Sequence, residues 1–145
     1  MPVKRKPCIR CGKNRALKFY TARGNVCSTC RRGTARRAAR STHLQQTYGI
    51  ELAHYNALLE YQNHACAICL GKRSGSYDVD HDHKKEKALI ADGADPLTAR
   101  RDSIRGLLCR RCNRRLLPAT LDDLRIMQGA IDYLLNPPAR HVLGG

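Results

Sequence analysis

The sequence predicts a small α+β protein pinned by zinc rather than by a large apolar core, and three observations lead there. The chain is 145 residues long with no Trp and one Phe, little aromatic material for burial to hold a domain on its own. Its eight cysteines fall as four Cys-x-x-Cys pairs, Cys8/Cys11, Cys27/Cys30, Cys66/Cys69 and Cys109/Cys112. Around those pairs, short strand-forming stretches alternate with apolar residues at helical spacing. A two-residue gap turns both thiolates toward one tetrahedral centre, so four such pairs make two structural zinc sites. Disulfides are the weaker reading, because the basic start from Met1 to Lys6 is followed by no apolar signal segment. With no apolar run near the ~18 residues of a membrane span, a cytosolic protein without a membrane partner is expected.

Residues 1–32 read as a zinc ribbon, with fifteen residues between Cys11 and Cys27. Leu17-Lys18-Phe19-Tyr20 predicts a strand, and Arg23-Gly24-Asn25 a turn into the second knuckle. The ribbon is either a stabilising cap or a DNA-contacting module. Charge favours contact, since residues 1–50 carry 13 basic residues and no acid. A net charge of +15 argues for a polyanionic partner, with nucleic acid preferred over lipid.

Residues 33–47 read as a basic helical linker. Arg31, Arg32, Arg36, Arg37 and Arg40 alternate with alanines, and a helix would lay several guanidinium groups along a phosphate backbone. The alternative is a solvated linker that orders on DNA. From Tyr48 the pattern Ile50, Leu52, Tyr55, Leu58, Leu59 and Gln62 predicts a helix on a core. His54 and His64 read as surface or supporting histidines, because the cysteine quartets are complete. A last helix is expected after Thr120, Asp122 and Asp123, with Leu121, Leu124, Met127, Ile131, Leu134 and Leu135 on its apolar face and Pro137-Pro138 as its stop. Residues 137–145 read as a flexible tail, frayed at Gly144-Gly145.

Between Cys69 and Cys109 lie 39 residues, so the second zinc must clamp the two ends of an enclosed unit. That unit contains Asp78-Val79-Asp80-His81-Asp82-His83. In an extended chain Asp80 and Asp82 share one face and His81 and His83 the other. Carboxylate and amide oxygens suit Mg2+ or Mn2+, and a histidine suits proton abstraction near neutral pH. A four-thiolate zinc has no open position for water, so the zincs brace and do not catalyse.

Tyr48-Gly49-Ile50, Tyr55, Leu58-Leu59, Gln62, Cys66-Ala67-Ile68-Cys69, Asp80-His81-Asp82-His83, Arg105-Gly106-Leu107-Leu108-Cys109 and Cys112-Asn113 together closely resemble the bacteriophage recombination endonuclease VII family. That family belongs to the HNH, or beta-beta-alpha-metal, nucleases. The resemblance spans about Tyr48 to Leu135, so residues 48–136 are expected to form the nuclease domain. It implies a metal-dependent DNA endonuclease acting on branched or duplex DNA and encoded by a phage. It further implies that Asp80 and the side-chain oxygen of Asn113 bind the catalytic Mg2+ or Mn2+, that His81 is the general base, and that His83 assists. A homodimer is plausible by the same resemblance, and Arg105 joins the DNA-contacting arginines. Asn113 as a helix cap is the competing role, and Asp82 is left with a hydrogen bond supporting its loop. The chain departs from the family in the 21 residues between His83 and Arg105, expected as an extended hairpin or a disordered loop. A zinc-finger DNA-binding or regulatory protein without catalysis is the rival reading. It leaves Asp80, His81 and Asn113 without a purpose.

Overall fold

Two short strands, β1 (Arg5–Pro7) and β2 (Asn14–Ala16), pair antiparallel with Arg5 opposite Ala16. The first cysteine knuckle is the turn between them. Gly12 sits there at a φ of 68°, a left-handed conformation that glycine adopts without strain, and its amide donates to the Cys8 carbonyl at 2.8 Å. These details come from a computed structural model that describes residues 3–143. The strand expected at Leu17–Tyr20 is a correction, since Leu17–Phe19 is a 3-10 turn. The pairing register ends at Arg5 opposite Ala16, and Tyr20 folds back instead, its hydroxyl donating to the Lys6 carbonyl at 2.8 Å.

Helix α1 (Ser28–Tyr48) begins directly after Cys27, so Cys30 lies in its first turn. The expected linker is therefore the interior of one 21-residue helix, in which Leu44 alone is buried. Gly49 ends it in the left-handed region at φ 63°, where its amide and that of Ile50 bond the carbonyls of Gln45 and Leu44. Helix α2 (Leu52–Tyr61) follows. The chain divides within it into two compact units, Met1–Tyr55 and Asn56–Gly145.

In the second unit β3 (Asp78–His81) pairs antiparallel with β4 (Ile104–Leu108), with Asp78 opposite Leu108, Asp80 opposite Gly106 and a bulge between Asp80 and His81. The residues that join these strands correct the expectation of a hairpin extension or a disordered loop, because they form two helices, α3 (His83–Ala91) and α4 (Pro96–Asp102). Each has a carboxylate cap. Asp82 accepts from the amides of Lys84 and Lys85, and Asp95 accepts from Thr98 ahead of Pro96.

After Cys109 the chain is helical through residues 110–119, π-wound at Cys112–Leu116 and α-helical at α5 (Leu117–Ala119). Helix α6 (Leu124–Leu135) starts at Asp123, whose carboxylate caps it. Of the three residues expected at its N-terminus Asp123 is the cap, whereas the Thr120 hydroxyl bonds the carbonyls of Leu116 and Leu117 and closes the preceding helix. A short helix, α7 (Ala139–Leu143), occupies the expected tail, while Gly144-Gly145 lies outside the described residues.

The buried residues of the second unit include Tyr77, Val79, Ala99, Leu107 and Leu108, with Cys66, Cys109 and Cys112 beside them. Gln62 ties the end of α2 to β4. Its amide donates to the Leu107 carbonyl and its oxygen accepts from the Leu107 amide, both at 2.8 Å. A Cβ on Gly106 would lie 3.1 Å from that oxygen, which accounts for glycine there. Among the described residues no helix is long and apolar enough to cross a membrane.

Candidate active site and metal centres

The four cysteine pairs assemble into two quartets, Cys8/Cys11/Cys27/Cys30 and Cys66/Cys69/Cys109/Cys112. Four thiolates at a Zn–S length of ~2.3 Å make a tetrahedron with edges of about 3.8 Å. Cys8 and Cys30 have their sulfurs 4.0 Å apart, and Cys69 and Cys109 theirs 3.8 Å apart. Each quartet also receives a backbone donor at 3.3 Å, from Cys27 to the Cys8 sulfur and from Cys109 to the Cys66 sulfur. The Cys27 amide brings the Cys8 thiol down to about 6, while hydrogen bonding to the Cys11 and Cys27 sulfurs pushes Cys30 up to about 12. In the second quartet the Cys112 amide brings Cys109 down to about 6, and burial pushes Cys112 up to about 12. Such a cluster cannot ionise fully by itself, and a dication at its centre removes the obstacle. Geometry and donor chemistry therefore fit structural zinc at both quartets.

Strand β3 and the first turn of α3 carry the remaining candidates. Asp80 is 8% exposed, and Arg105, at the bulge of the facing strand, donates to both carboxylate oxygens, from Nε at 2.7 Å and from Nη2 at 3.0 Å. The same guanidinium reaches Asp122 at 3.2 Å, so Arg105 is engaged with carboxylates instead of being presented to a polyanion. Asn113 is one residue past the second quartet. Its amide nitrogen donates to Asp78 Oδ2 at 3.4 Å. Asp78 and Asp80 are two positions apart on the strand and so share a face, and they are held by different partners: Asp78 by Asn113 and Arg114, Asp80 by Arg105.

His81 ends the strand, and the bulge before it re-aims its ring. Its Nε2 lies 3.1 Å from Glu86 Oε2, and the His83 ring packs on it at 4.3 Å between centroids. His81 and His83 thus share a side as expected, whereas Asp82 has left the strand to cap α3. Burial, the neighbouring His83 and Arg100 lower the His81 pKa below 6.5 against the pull of Glu86, so the ring is neutral near pH 7. His83 is largely exposed.

Glu86 is the residue that sequence reasoning missed. It is 6% exposed, and Arg100 on α4 donates to its Oε1 at 2.7 Å, leaving Oε2 toward both histidines. Burial opposes its ionisation, but the hydrogen bond and charge of Arg100 prevail and keep it a carboxylate. His81, His83 and Glu86 also place one ligand atom each within 4.8 Å of one another. The signal available was Asp82 ahead of a helix-forming run, which puts Glu86 one turn after His83.

The basic helix behaves differently. Arg31, Arg32, Arg36 and Arg37 are exposed, while Arg40 lies 4.0 Å over the Tyr55 ring, a packing role.

Comparison with known proteins gives two results in sequence. The recombination endonuclease VII family matches residues 41–136. The Gene 59 protein of Mycobacterium phage D29 is 37% identical over 97% of the chain and 80% of its own length, and that of Mycobacterium phage L5 is 36% identical over the same shares. No solved structure gives a significant match.

Proposed function

The chain belongs to the recombination endonuclease VII family, and on that premise we propose that it is a DNA endonuclease whose general base is His81 and whose catalytic cation is one Mg2+ or Mn2+. The observation that carries this reading is the half-buried His81, its pKa lowered by desolvation, held against Glu86 beside the carboxylates of β3. The imidazole of His81 takes the proton from the attacking water. The water oxygen forms its bond to phosphorus as the 3′ oxygen departs, leaving a 5′ phosphate. His83, exposed beside the ring, contacts the phosphate.

Asp78, Asp80 and the Asn113 side-chain oxygen are hard donors that suit such a cation. Arg105 uses two of roughly four lone-pair positions on the Asp80 carboxylate, which would leave capacity for a cation there. When bound, the cation supplies charge stabilisation to the phosphoryl and departing oxygens. The β3–β4 pair followed by the helix over residues 110–119 supports an HNH-type, beta-beta-alpha-metal reading. Cleaving a branched substrate on two strands needs two sites, and the exposed apolar residues of α6, among them Leu124, Ile131, Leu134 and Leu135, support a homodimer.

The guanidinium already locked on Asp80 is what favours the rival, a zinc-stabilised DNA-binding protein without catalysis. Incubation with supercoiled plasmid and with a synthetic four-way junction, in Mg2+ or in EDTA, separates the two. Cleavage in Mg2+ alone is expected. Binding of both DNAs with no cleavage in Mg2+ or Mn2+ would establish the rival.

A further inference from the structure

We infer that the cavity lined by Arg73, Arg110, Arg111, Arg114 and Arg115 is a phosphodiester-binding site that grips one DNA strand beside the contact of Asn113 with Asp78. The inference rests on the endonuclease reading and names the part of the substrate held next to the site. Five arginines line a space of about 390 Å³. Among the described residues Arg114 alone of the five has an acid partner, Asp78 at 3.2 Å. Like charges gathered this way repel one another, and a multivalent anion turns that repulsion into attraction. Guanidinium forks match the oxygens of a phosphate in pairs, and a lining of arginine with no apolar residue suits a phosphate chain better than a peptide.

The cavity is built by the fold. Arg110, Arg111, Arg114 and Arg115 follow the Cys109 knuckle on one helix, and its π-wound turn at Cys112–Leu116 narrows the angle between positions five apart. Arg73 comes from the other wall. Buried Tyr77 fixes that loop, its hydroxyl accepting from the Arg73 amide at 3.0 Å and donating to the carbonyls of His64 and Gly71 at 2.9 and 3.1 Å. The cavity also adjoins the candidate catalytic residues, because Arg114 and Asn113 donate to the same oxygen, Asp78 Oδ2. A strand seated on the arginines leads toward Asp78.

The test measures binding of a labelled duplex and a four-way junction to the zinc-loaded full chain, in chelator-free buffer without Mg2+ at stepped salt, for wild type and Arg110→Gln/Arg111→Gln. Zinc content and circular dichroism check the fold, and Arg73→Gln, outside both knuckles, provides a second variant on the opposite wall. Loss of two phosphate contacts lowers the slope of log affinity against log salt by about 1.8, and of one by about 0.9. Variants that keep the wild-type slope and affinity overturn the inference. Saturable pyrophosphate binding that the variants lose while their DNA slope is unchanged also overturns it, in favour of a site for free phosphates. Cleavage by wild type in Mg2+ is scored separately: cutting with unchanged variant slopes defeats only this cavity, whereas a fall in slope without any cutting defeats only the endonuclease reading.

Discussion

The two cysteine quartets are nearly the same object in different settings. Both have sulfurs about a tetrahedral edge apart, 4.0 and 3.8 Å, and both receive a backbone amide at 3.3 Å. They differ in what they enclose. The first closes a ribbon and launches α1, whose exposed arginines face solvent. The second joins the ends of a unit containing two polar clusters, Asp80 paired with Arg105, and Glu86 paired with Arg100 and set against His81. The staple is thus generic, and the chemistry is set by the chain between its two halves.

Breaking each staple in turn is the strongest way to expose that contrast. Cys109→Ser should release the β3–β4 ends, abolish cleavage and leave about one zinc per chain, since a structural zinc contributes on the order of 10 kcal/mol to the fold it closes. Cys27→Ser should also leave about one zinc, yet keep residues 56–145 resistant to proteolysis while weakening DNA binding. Equal loss of protease resistance in the two variants would erase the distinction. Metal analysis with limited proteolysis reads both.

Glu86→Gln sharpens the comparison inside the second unit. Cleavage should fall by roughly 10- to 100-fold, the scale on which the orienting partner of an imidazole is felt in metal sites. The pH profile carries the sign. His81 titrates below 6.5, so the acid limb of wild type lies below that pH. Glu86 is an influence that raises this value, so its removal moves the limb lower still. By linkage, the stability associated with neutral His81 is present above pH 6.5 and is lost as pH falls through its folded value.

Arg36→Gln/Arg37→Gln probes the first unit. It should reduce the salt slope of DNA binding by about 1.8 across all sequences and leave the zinc content intact. The smallest effect is expected from Asp82→Ala, which removes the cap of α3 at a cost of about 1 kcal/mol in a denaturant titration.

These contrasts also mark what was legible in the sequence. Knuckle spacing and the charge run could be read because each depends on local chemistry or a short motif. The helices α3 and α4 were missed because Asp92-Gly93 and Asp95-Pro96 are turn signals and helix boundaries at once. Asp92 ends α3, Gly93 follows at φ 93°, and Asp95 with Pro96 starts α4. Missing α3 hid Glu86, whose importance comes from burial against Arg100 on a different helix, 14 residues away. The strand assigned to Leu17–Tyr20 failed for a related reason. Its apolar residues favour a sheet, but only Leu17 still reaches the first strand's chain, its amide donating to the Lys4 carbonyl at 3.1 Å, before the Tyr20 amide closes the 3-10 turn on the Leu17 carbonyl.

The central claim, that the second unit cuts through His81, is tested most directly by single-turnover cleavage of a four-way junction and a plasmid in Mg2+, with wild type beside His81→Ala at DNA concentrations that saturate both. Loss of the general base should slow cleavage about 10²- to 10⁴-fold with unchanged zinc content and DNA affinity. A His81→Ala protein that cuts at the wild-type rate would contradict the account.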